Sequence, residues 1–379
     1  MKNNKLVVVH YIWSANFGGI EKLVMDLSLA QRSNVRLETQ ILIGCRKGNF
    51  IDKLNETGLT HTFVGMKNGN DVRPSILKLL RNKFIEADII HIHTFNPIVY
   101  LMAGLSGKKI IYTVHGNFFF GRKKRISDSI NQFLSKLILP AFTSYITYNS
   151  RFSKQLSDQL FNTGKIKGVI IPNGIFLENS SATEMISDKN HRDFIANKFV
   201  VGTSSRFVGV KRIDRLIQGF ALFAKDKNDV VLMLVGDGIL KNQIEMWVKD
   251  QDIQSKTLLT GFQSAVRSYQ NSMDVCVFSS QNEAFGLVAV ETLGLGKPTI
   301  VFKDAGGMLE IVENEFNEDI VEDEQQLCSR LNYYYKNRNS KDKELITRRM
   351  NLAGEYTIQK MEERIFKVYT DAISKTAEK

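Results

Sequence analysis

Cysteine is scarce in this chain of 379 residues: there are three, at positions 45, 276 and 328, with no paired spacing. That excludes a disulfide framework and the paired-cysteine zinc sites, and it suits a reducing cytoplasm. Long apolar runs are missing as well. No stretch reaches the ~18 apolar residues of a membrane span. The opening MKNNKLVVVHYIW enters an apolar run too short, and too polar in its flanks, for a signal peptide. Repeats and low-complexity tracts are absent. Acidic residues are thin in the first half: residues 1–180 hold 24 Lys and Arg against 11 Asp and Glu, whereas the remaining 199 hold 27 against 29. The overall charge of +11 therefore lies in the first half, which points to an anionic partner there, nucleic acid or an anionic membrane surface.

What is present is ordinary for a soluble protein, with 43% hydrophobic residues and enough length for two domains. The first half alternates short β-branched and aromatic runs (LVVVHY, TQILIG, HTFVG, DIIHIHT, KIIYTVHG, SYITYNS, GVIIPN) with amphipathic helical patterns such as IEKLVMDLSLAQ and SRFSKQLSDQLF. Near-continuous apolar strands separated by helices predict a parallel sheet covered on both faces. A polar stretch, LENSSATEMISDKNHRD, follows without apolar periodicity and reads as a linker or excursion, with the domain boundary near 175. A second strand series then begins: KFVVGTSSR, VVLMLVG, TLLTG, VCVFSS, PTIVF. EYTIQKMEERIFKVYTDAIS closes the pattern as an amphipathic helix. The fold class is α/β, two doubly wound Rossmann-like domains, whose ligand crevices lie at the carboxyl ends of their strands.

Charged residues gather at those ends. TSSRFVGVKRIDRLIQGF ends a strand at Arg206 and opens a helix at about Lys211, an arrangement of two cations suited to a diphosphate or to plain solvation. SSQNEAFGLVAVETLGLGKP places Glu283 in a loop and Glu291 eight positions on, inside the next helix. The backbone N–H groups of Phe285, Gly286 and Leu287 would lie between them, facing a phosphate or sugar. Gly261 follows another strand, in LTGF. VGDGILKNQIE starts like a dinucleotide fingerprint but lacks the third glycine, which weakens a dehydrogenase reading. The Asp-x-Asp of KDQDIQ follows a helical pattern and reads as solvated.

In the first half, Gly18 and Gly19 form a glycine-bearing loop before a helix, open to a phosphate or serving as a tight turn. His115 ends a strand. His91 and His93 share a strand face; with no third ligand evident they read as a polar pair and no metal site is expected.

In order along the chain, NFGGIEKLV, the R-x4-K of Arg206 to Lys211, the E-x-F-G-x4-E of Glu283 to Glu291 and GGMLEIV together resemble the retaining family-4 glycosyltransferases of GT-B fold, over nearly the whole length. The resemblance implies three parts: residues 1–175 binding the acceptor, 176–355 binding a nucleotide-sugar, and 356–379 returning as a helix to the first domain. It implies that Arg206 and Lys211 bind the donor diphosphate, that Glu283 contacts the transferred sugar and Glu291 the ribose. It also implies that Gly19, with Gly18, lies against the phosphates and that His115 lines the reaction centre. Ala284 stands where glycine is common, and Arg212 stands where glycine is frequent. The expected reaction is metal-independent transfer from a nucleotide-sugar, a UDP-sugar by prevalence, with no cofactor. The acceptor expected is a lipid-linked bacterial polysaccharide or lipopolysaccharide. A catalytically idle GT-B scaffold and a GT-B-like sugar-nucleotide epimerase are the alternatives.

The basic half carries one more feature. GNFFFGRKKRISDSINQFLSKLILPAF combines Phe118, Phe119 and Phe120 with Arg122, Lys123, Lys124 and Arg125 and an amphipathic helix, beside Lys108 and Lys109. The composition suits the surface of an anionic membrane, or an acceptor site, and agrees with the lipid-linked acceptor that the resemblance implies; the expected location is the cytoplasm, on the inner face of the cell membrane. Nucleic acid is not expected, because the aromatics are clustered apart from the basic residues and no nucleic-acid-binding motif occurs.

Overall fold

The computed structural model describes residues 5–16, 18–45, 48, 50–116, 126–177, 185–340 and 342–374. Two compact units emerge. One is built from the chain as far as Phe176 together with the segment from Thr357 onward, the other from Leu177–Tyr356.

Among the described residues the first unit holds seven parallel strands: β1 (Leu6–Ile12), β2 (Leu37–Ile43), β3 (His61–Phe63), β4 (Ile89–Ile92), β5 (Lys109–Val114), β6 (Thr143–Tyr148) and β7 (Gly168–Ile170). Their order is β3-β2-β1-β4-β5-β6-β7, so the chain reverses direction across the sheet between β1 and β4. The second unit holds β8 (Phe199–Ser204), β9 (Val230–Val235), β10 (Thr257–Gly261), β11 (Val275–Phe278), β12 (Thr299–Phe302) and β13 (Ile320–Val321), in the order β10-β9-β8-β11-β12-β13. Its reversal lies between β8 and β11. All six residues of β9 are buried, as a strand covered by helices on both faces requires. Open sheets of this kind leave a crevice at the carboxyl ends of the two strands that flank the reversal. The two-residue edge strand β13 is too short to have left a periodic signal.

Local chemistry sets the helix boundaries. Ser150 and Ser153 form a reciprocal capping box at the start of helix Arg151–Phe161. The polar stretch read as a linker contains a short helix, Lys189–Ile195, whose entry is fixed by the Asp188 side chain accepting from His191 N at 3.2 Å. The closing helix, Ile358–Ser374, belongs to the first unit. Its Ile358, Met361, Ile365, Val368, Tyr369 and Ala372 are buried against Val8, Leu23, Leu27, Ile89, Ile111 and Tyr145. Ile358 N donates to Ile175 O at 2.9 Å, tying the returning chain beside the end of the outgoing one. No described helix is long and apolar enough to cross a membrane.

Candidate active site

The second unit gathers most of the charged candidates at its reversal point. Strand β8 ends at Ser204, two residues before Arg206, and the helix after it begins at Ile213, so both boundaries differ from those read in the sequence. The reason is local. Gly209–Lys211 winds one tight turn, and Arg212 then takes a left-handed conformation with φ 44° before the α-helix starts. An L-residue there is strained by about 1–2 kcal/mol, which explains why glycine suits this position. The Arg212 guanidinium is held to Asp214, with Nε and Nη2 donating at 2.8–3.1 Å.

Lys211 meets Glu283 across this crevice end. Its Nζ lies 2.5 Å from Glu283 Oε2, and the two side chains are only 14% and 24% exposed. The glutamate loop is anchored on both sides. Gln281 N donates to Val210 O and the Ser279 hydroxyl to Lys211 O, at 2.8 and 2.9 Å. On the other side Asn282 N and Glu283 N donate to Asp304 O and Ala305 O, and Gly307 N donates to Glu283 O at 2.7 Å. Asp304 is in turn clamped by Arg215 at 2.8 Å, whose guanidinium stacks 4.0 Å from the Phe302 ring centroid. Arg215 and Asp304 escaped the sequence reading, since nothing in their spacing marks them as a brace.

Arg206 is exposed, with no side-chain partner among the described residues. The neighbouring Ser205 hydroxyl is buried and also unpartnered. Glu291 lies on helix Leu287–Gly294, where Oε2 accepts from Gln270 Nε2 at 3.2 Å; the same nitrogen donates to Ser204 Oγ at 2.9 Å. Gly286 caps that helix with φ 98°, and a Cβ there would come within 2.6–2.9 Å of Met308. Only glycine serves such a turn. Phe285 is buried, its ring edge-on to Tyr356 at 5.8 Å, so its side chain is structural and only its backbone is available to a ligand. Leu287 opens the helix. Gly261 ends β10 with φ 68° and open space around its Cα. Gly236, the first glycine of VGDG, has φ 143°, and a Cβ would fall 1.9 Å from Ser205 O. Its glycine serves the packing of this turn on the β8 end, a physical reason for the motif independent of dinucleotides.

The first unit carries its own set. Gly18 caps helix Gly19–Arg32, with open space beside Gly19. Glu21 in the first turn lies against Gly18: a Cβ there would meet its Oε2 at 2.7 Å. Burial raises the Glu21 pKa.

His91 and His93 have the partners the sequence did not disclose. In register, His10 on β1 faces His91 on β4. The reading that no third imidazole accompanies His91 and His93 is therefore corrected: the ligand atoms of His10, His91 and His93 all lie within 4.8 Å of one another. Every ring nitrogen of the three is already engaged. His10 Nδ1 is 2.9 Å from His93 Nε2, and His10 Nε2 is 2.8 Å from Gln31 Oε1. His91 Nδ1 is 2.6 Å from Tyr369 Oη, and its Nε2 is 2.6 Å from Thr113 Oγ1. His93 Nδ1 is 3.0 Å from His115 Nε2. The three rings are thus joined with Gln31, Tyr369, Thr113 and His115 in one hydrogen-bond network. Burial drives the His10 and His115 pKa values down to about 4 and those of His91 and His93 well below the usual histidine value, so the cluster is neutral.

Phe118, Phe119, Phe120, Arg122, Lys123, Lys124 and Arg125 lie outside the described residues.

Two family descriptions match the chain: Glycosyltransferase Family 4 over residues 17–179 and Glycosyl transferases group 1 over residues 186–349. The chain belongs to the group 1, family-4 glycosyltransferases. Its fold is GT-B: the Anabaena protein HepE, solved in complex with UDP, is similar with a TM-score of 0.78 at 19% identity, over 97% of this chain and 100% of that one. By sequence the chain is 27% identical over 244 residues to the N-acetylgalactosamine-N,N'-diacetylbacillosaminyl-diphospho-undecaprenol 4-alpha-N-acetylgalactosaminyltransferase of Campylobacter jejuni, covering 63% of this chain and 64% of that protein. It is 26% identical over 181 residues to the poly(ribitol-phosphate) alpha-N-acetylglucosaminyltransferase of Staphylococcus aureus, covering 45% and 37%. These matches span less than two thirds of either relative's length.

Proposed function

We propose that this chain is a retaining glycosyltransferase that moves a sugar from a UDP-sugar to a lipid-linked saccharide of bacterial surface-polysaccharide or lipopolysaccharide synthesis, without a bound metal ion. The observation that carries the reading is the Lys211–Glu283 pair beside the unpartnered Arg206 at the β8/β11 reversal. As the bond from the sugar's anomeric carbon to the diphosphate breaks, negative charge grows on the departing phosphate. Lys211, Arg206 and the N–H groups at Gly286 and Leu287 supply positive charge and donors to stabilise it, the part a metal ion plays elsewhere. The acceptor oxygen bonds to the same carbon, and its proton passes to the departing phosphate. Glu283 and Glu291 accept hydrogen bonds from sugar and ribose hydroxyls. The UDP of the HepE structure and the diphospho-undecaprenol in the Campylobacter enzyme's name support the donor and acceptor classes.

The acceptor class also accounts for an uncovered apolar face on the first unit. On helix Ile126–Phe142, Ile130, Phe133 and Leu137 are 54%, 62% and 58% exposed. Leu101 and Leu105 extend the exposed apolar surface on helix Pro97–Leu105, which approaches the first helix closely where Gly104 meets the Phe142 ring. Lys136, exposed on the same helix, and the basic balance of this half support docking of this face on an anionic membrane surface, and with it a peripheral position on the inner leaflet as part of the proposal.

A thermal-shift series with UDP, GDP, ADP, CMP and their sugar conjugates, with and without EDTA, tests the donor reading. A ligand at 100 times its Kd stabilises by about 2.7 kcal/mol. Stabilisation by a UDP-sugar, unchanged by EDTA, is the expected result. A folded protein that responds to no nucleotide would overturn it.

A further inference from the structure

One face of the first sheet changes character along its strands. Near their start it presents Val8, Ile89, Ile111 and Tyr145, buried under the returning helix. Because side chains alternate with period two, the same face carries His10, His91, His93, Thr113, Thr147 and His115 toward the carboxyl ends. His10, His91, His93, Thr113 and Thr147 are all buried. Strand termini explain a polar group at the last position, where a ligand would sit. They do not explain a buried row of imidazoles leading away from it.

The row is one hydrogen-bonded network with two branches that meet at Gln31: one runs through His10 and His93 to His115, the other through Tyr369 and His91 to Thr113 and Thr147. Gln31, fully buried on helix Gly19–Arg32, directs its amide nitrogen to Tyr369 Oη at 3.4 Å and its carbonyl oxygen to His10 Nε2 at 2.8 Å. A carbonyl oxygen only accepts, so His10 carries its proton on Nε2 and is left with a lone pair on Nδ1. His93 Nε2, 2.9 Å away, must then be the protonated nitrogen of its ring. His93 Nδ1 becomes an acceptor in turn, and the proton between it and His115, 3.0 Å apart, belongs to His115 Nε2. What remains at the end is His115 Nδ1, which has no partner among the described residues, on a ring that is partly exposed.

We propose that Gln31, His10 and His93 are positioning residues that fix the tautomer of His115, so that it presents an unprotonated Nδ1 as a hydrogen-bond acceptor to a substrate hydroxyl. The placing of His115 at the reaction centre rests on the glycosyltransferase reading above; the tautomer chain does not. The branch from Gln31 to His115 starts from a neutral amide and contains no carboxylate, so it offers no sink for a proton and does not make His115 a strong base. It orients a neutral acceptor instead. A hydroxyl facing Nδ1 is held by its own O–H, whereas a ligand that lacks that hydroxyl leaves the nitrogen unsatisfied.

The test is 15N NMR of the full-length protein labelled at histidine, with six histidines in the chain keeping the spectrum sparse and His115→Asn identifying its signals. In the wild type at pH 7, His115 should show the shifts of the Nε2–H tautomer alone. Gln31→Leu removes the acceptor at the fixed end and should give His115 a mixture of both tautomers. Gln31→Glu, an acceptor on both oxygens, should restore the single form. In turnover, Gln31→Leu should lower kcat/KM about tenfold, the cost of one misdirected hydrogen bond, and Gln31→Glu should recover most of it. A wild-type His115 found as Nδ1–H, or a folded Gln31→Leu with an unchanged His115 signal, overturns the proposal. Both results read the chain itself and hold even if no nucleotide-sugar proves to be a substrate.

Discussion

Removing the Lys211 ammonium separates what the crevice charges do for the fold from what they do for the reaction. Lys211 and Glu283 are mostly buried and 2.5 Å apart. Breaking one partner of a fully buried pair costs about 3–5 kcal/mol, whereas exposed pairs are worth about 0–1 kcal/mol. At 14% and 24% exposure the expectation for Lys211→Met falls between, at about 2 kcal/mol, because the Glu283 carboxylate is left without its counter-charge. In a unit the size of Leu177–Tyr356, each kcal/mol moves Tm by about 2–4 °C, so its transition should fall by ~4–8 °C. Glu283→Gln should cost less, since the amide can still accept from Lys211. The double variant should be more stable than the sum predicts, by about 1–2 kcal/mol of coupling.

Arg206→Ala is the control. An exposed cation without a partner contributes within about 0.5 kcal/mol to stability. In turnover, by contrast, Lys211→Met and Arg206→Ala should each lower kcat/KM by about 10²–10³, equivalent to ~3–4 kcal/mol of transition-state stabilisation. The assay is initial-rate kinetics with the UDP-sugar that gives the thermal shift, run beside urea unfolding of each variant. Near-wild-type turnover in Arg206→Ala would take that residue out of the mechanism. Strict additivity in the stability cycle would refute the electrostatic coupling assigned to the pair.

Gly286→Ala should destabilise by about 2–4 kcal/mol, from the left-handed backbone and the collision with Met308, read as a lower urea midpoint at constant m; an unmoved midpoint contradicts the required turn. The histidine cluster predicts acid sensitivity. Its folded pKa values are depressed, so between the free value of 6.5 and about 4 the unfolded chain takes up protons that the native His10 refuses. Stability is therefore full above pH 6.5, declines by up to ~3 kcal/mol for His10 as pH falls toward 4, and gains no further loss from this group below that. Unfolding free energies that stay flat from pH 7 to 5 refute the burial argument. Serine at Ile130, Phe133 and Leu137 together should weaken sedimentation with vesicles of anionic phospholipid at least tenfold, as should serine at Arg122, Lys123, Lys124 and Arg125. Undiminished binding by the first variant removes this face from the membrane reading.

Which parts of this molecule the sequence discloses follows from the range of the interaction concerned. β9 reads as a strand because all six residues are apolar and all six are buried; the signal and the cause are both local. The E-x-F-G-x4-E spacing works likewise, since Glu283, Gly286 and Glu291 sit on one continuous strand–loop–helix connection. Arg212 shows where local reading stops. Its left-handed turn delays the helix to Ile213, and an arginine gives no warning of a conformation that glycine would have announced. Glu21 illustrates a second limit, because a glycine loop says nothing of the side chain that leans over it.

The histidines are the most instructive case. The period-two spacing of His91 and His93 is visible, and so is the placement of His10 within the first strand. Their meeting depends on β1 lying beside β4 and on the register that pairs His10 with His91, eighty-one residues apart. That adjacency is itself a consequence of the doubly wound order, in which the chain crosses back to β1 before adding β4. A sequence reader who commits to that order can list which residues of β1 and β4 share a face near their carboxyl ends, and His10 appears on the list beside His91. What no strand order supplies is the direction of the protons. It is set by Gln31 and Tyr369, one from the first helix and one from the last, whose contact closes the network across most of the length of the chain.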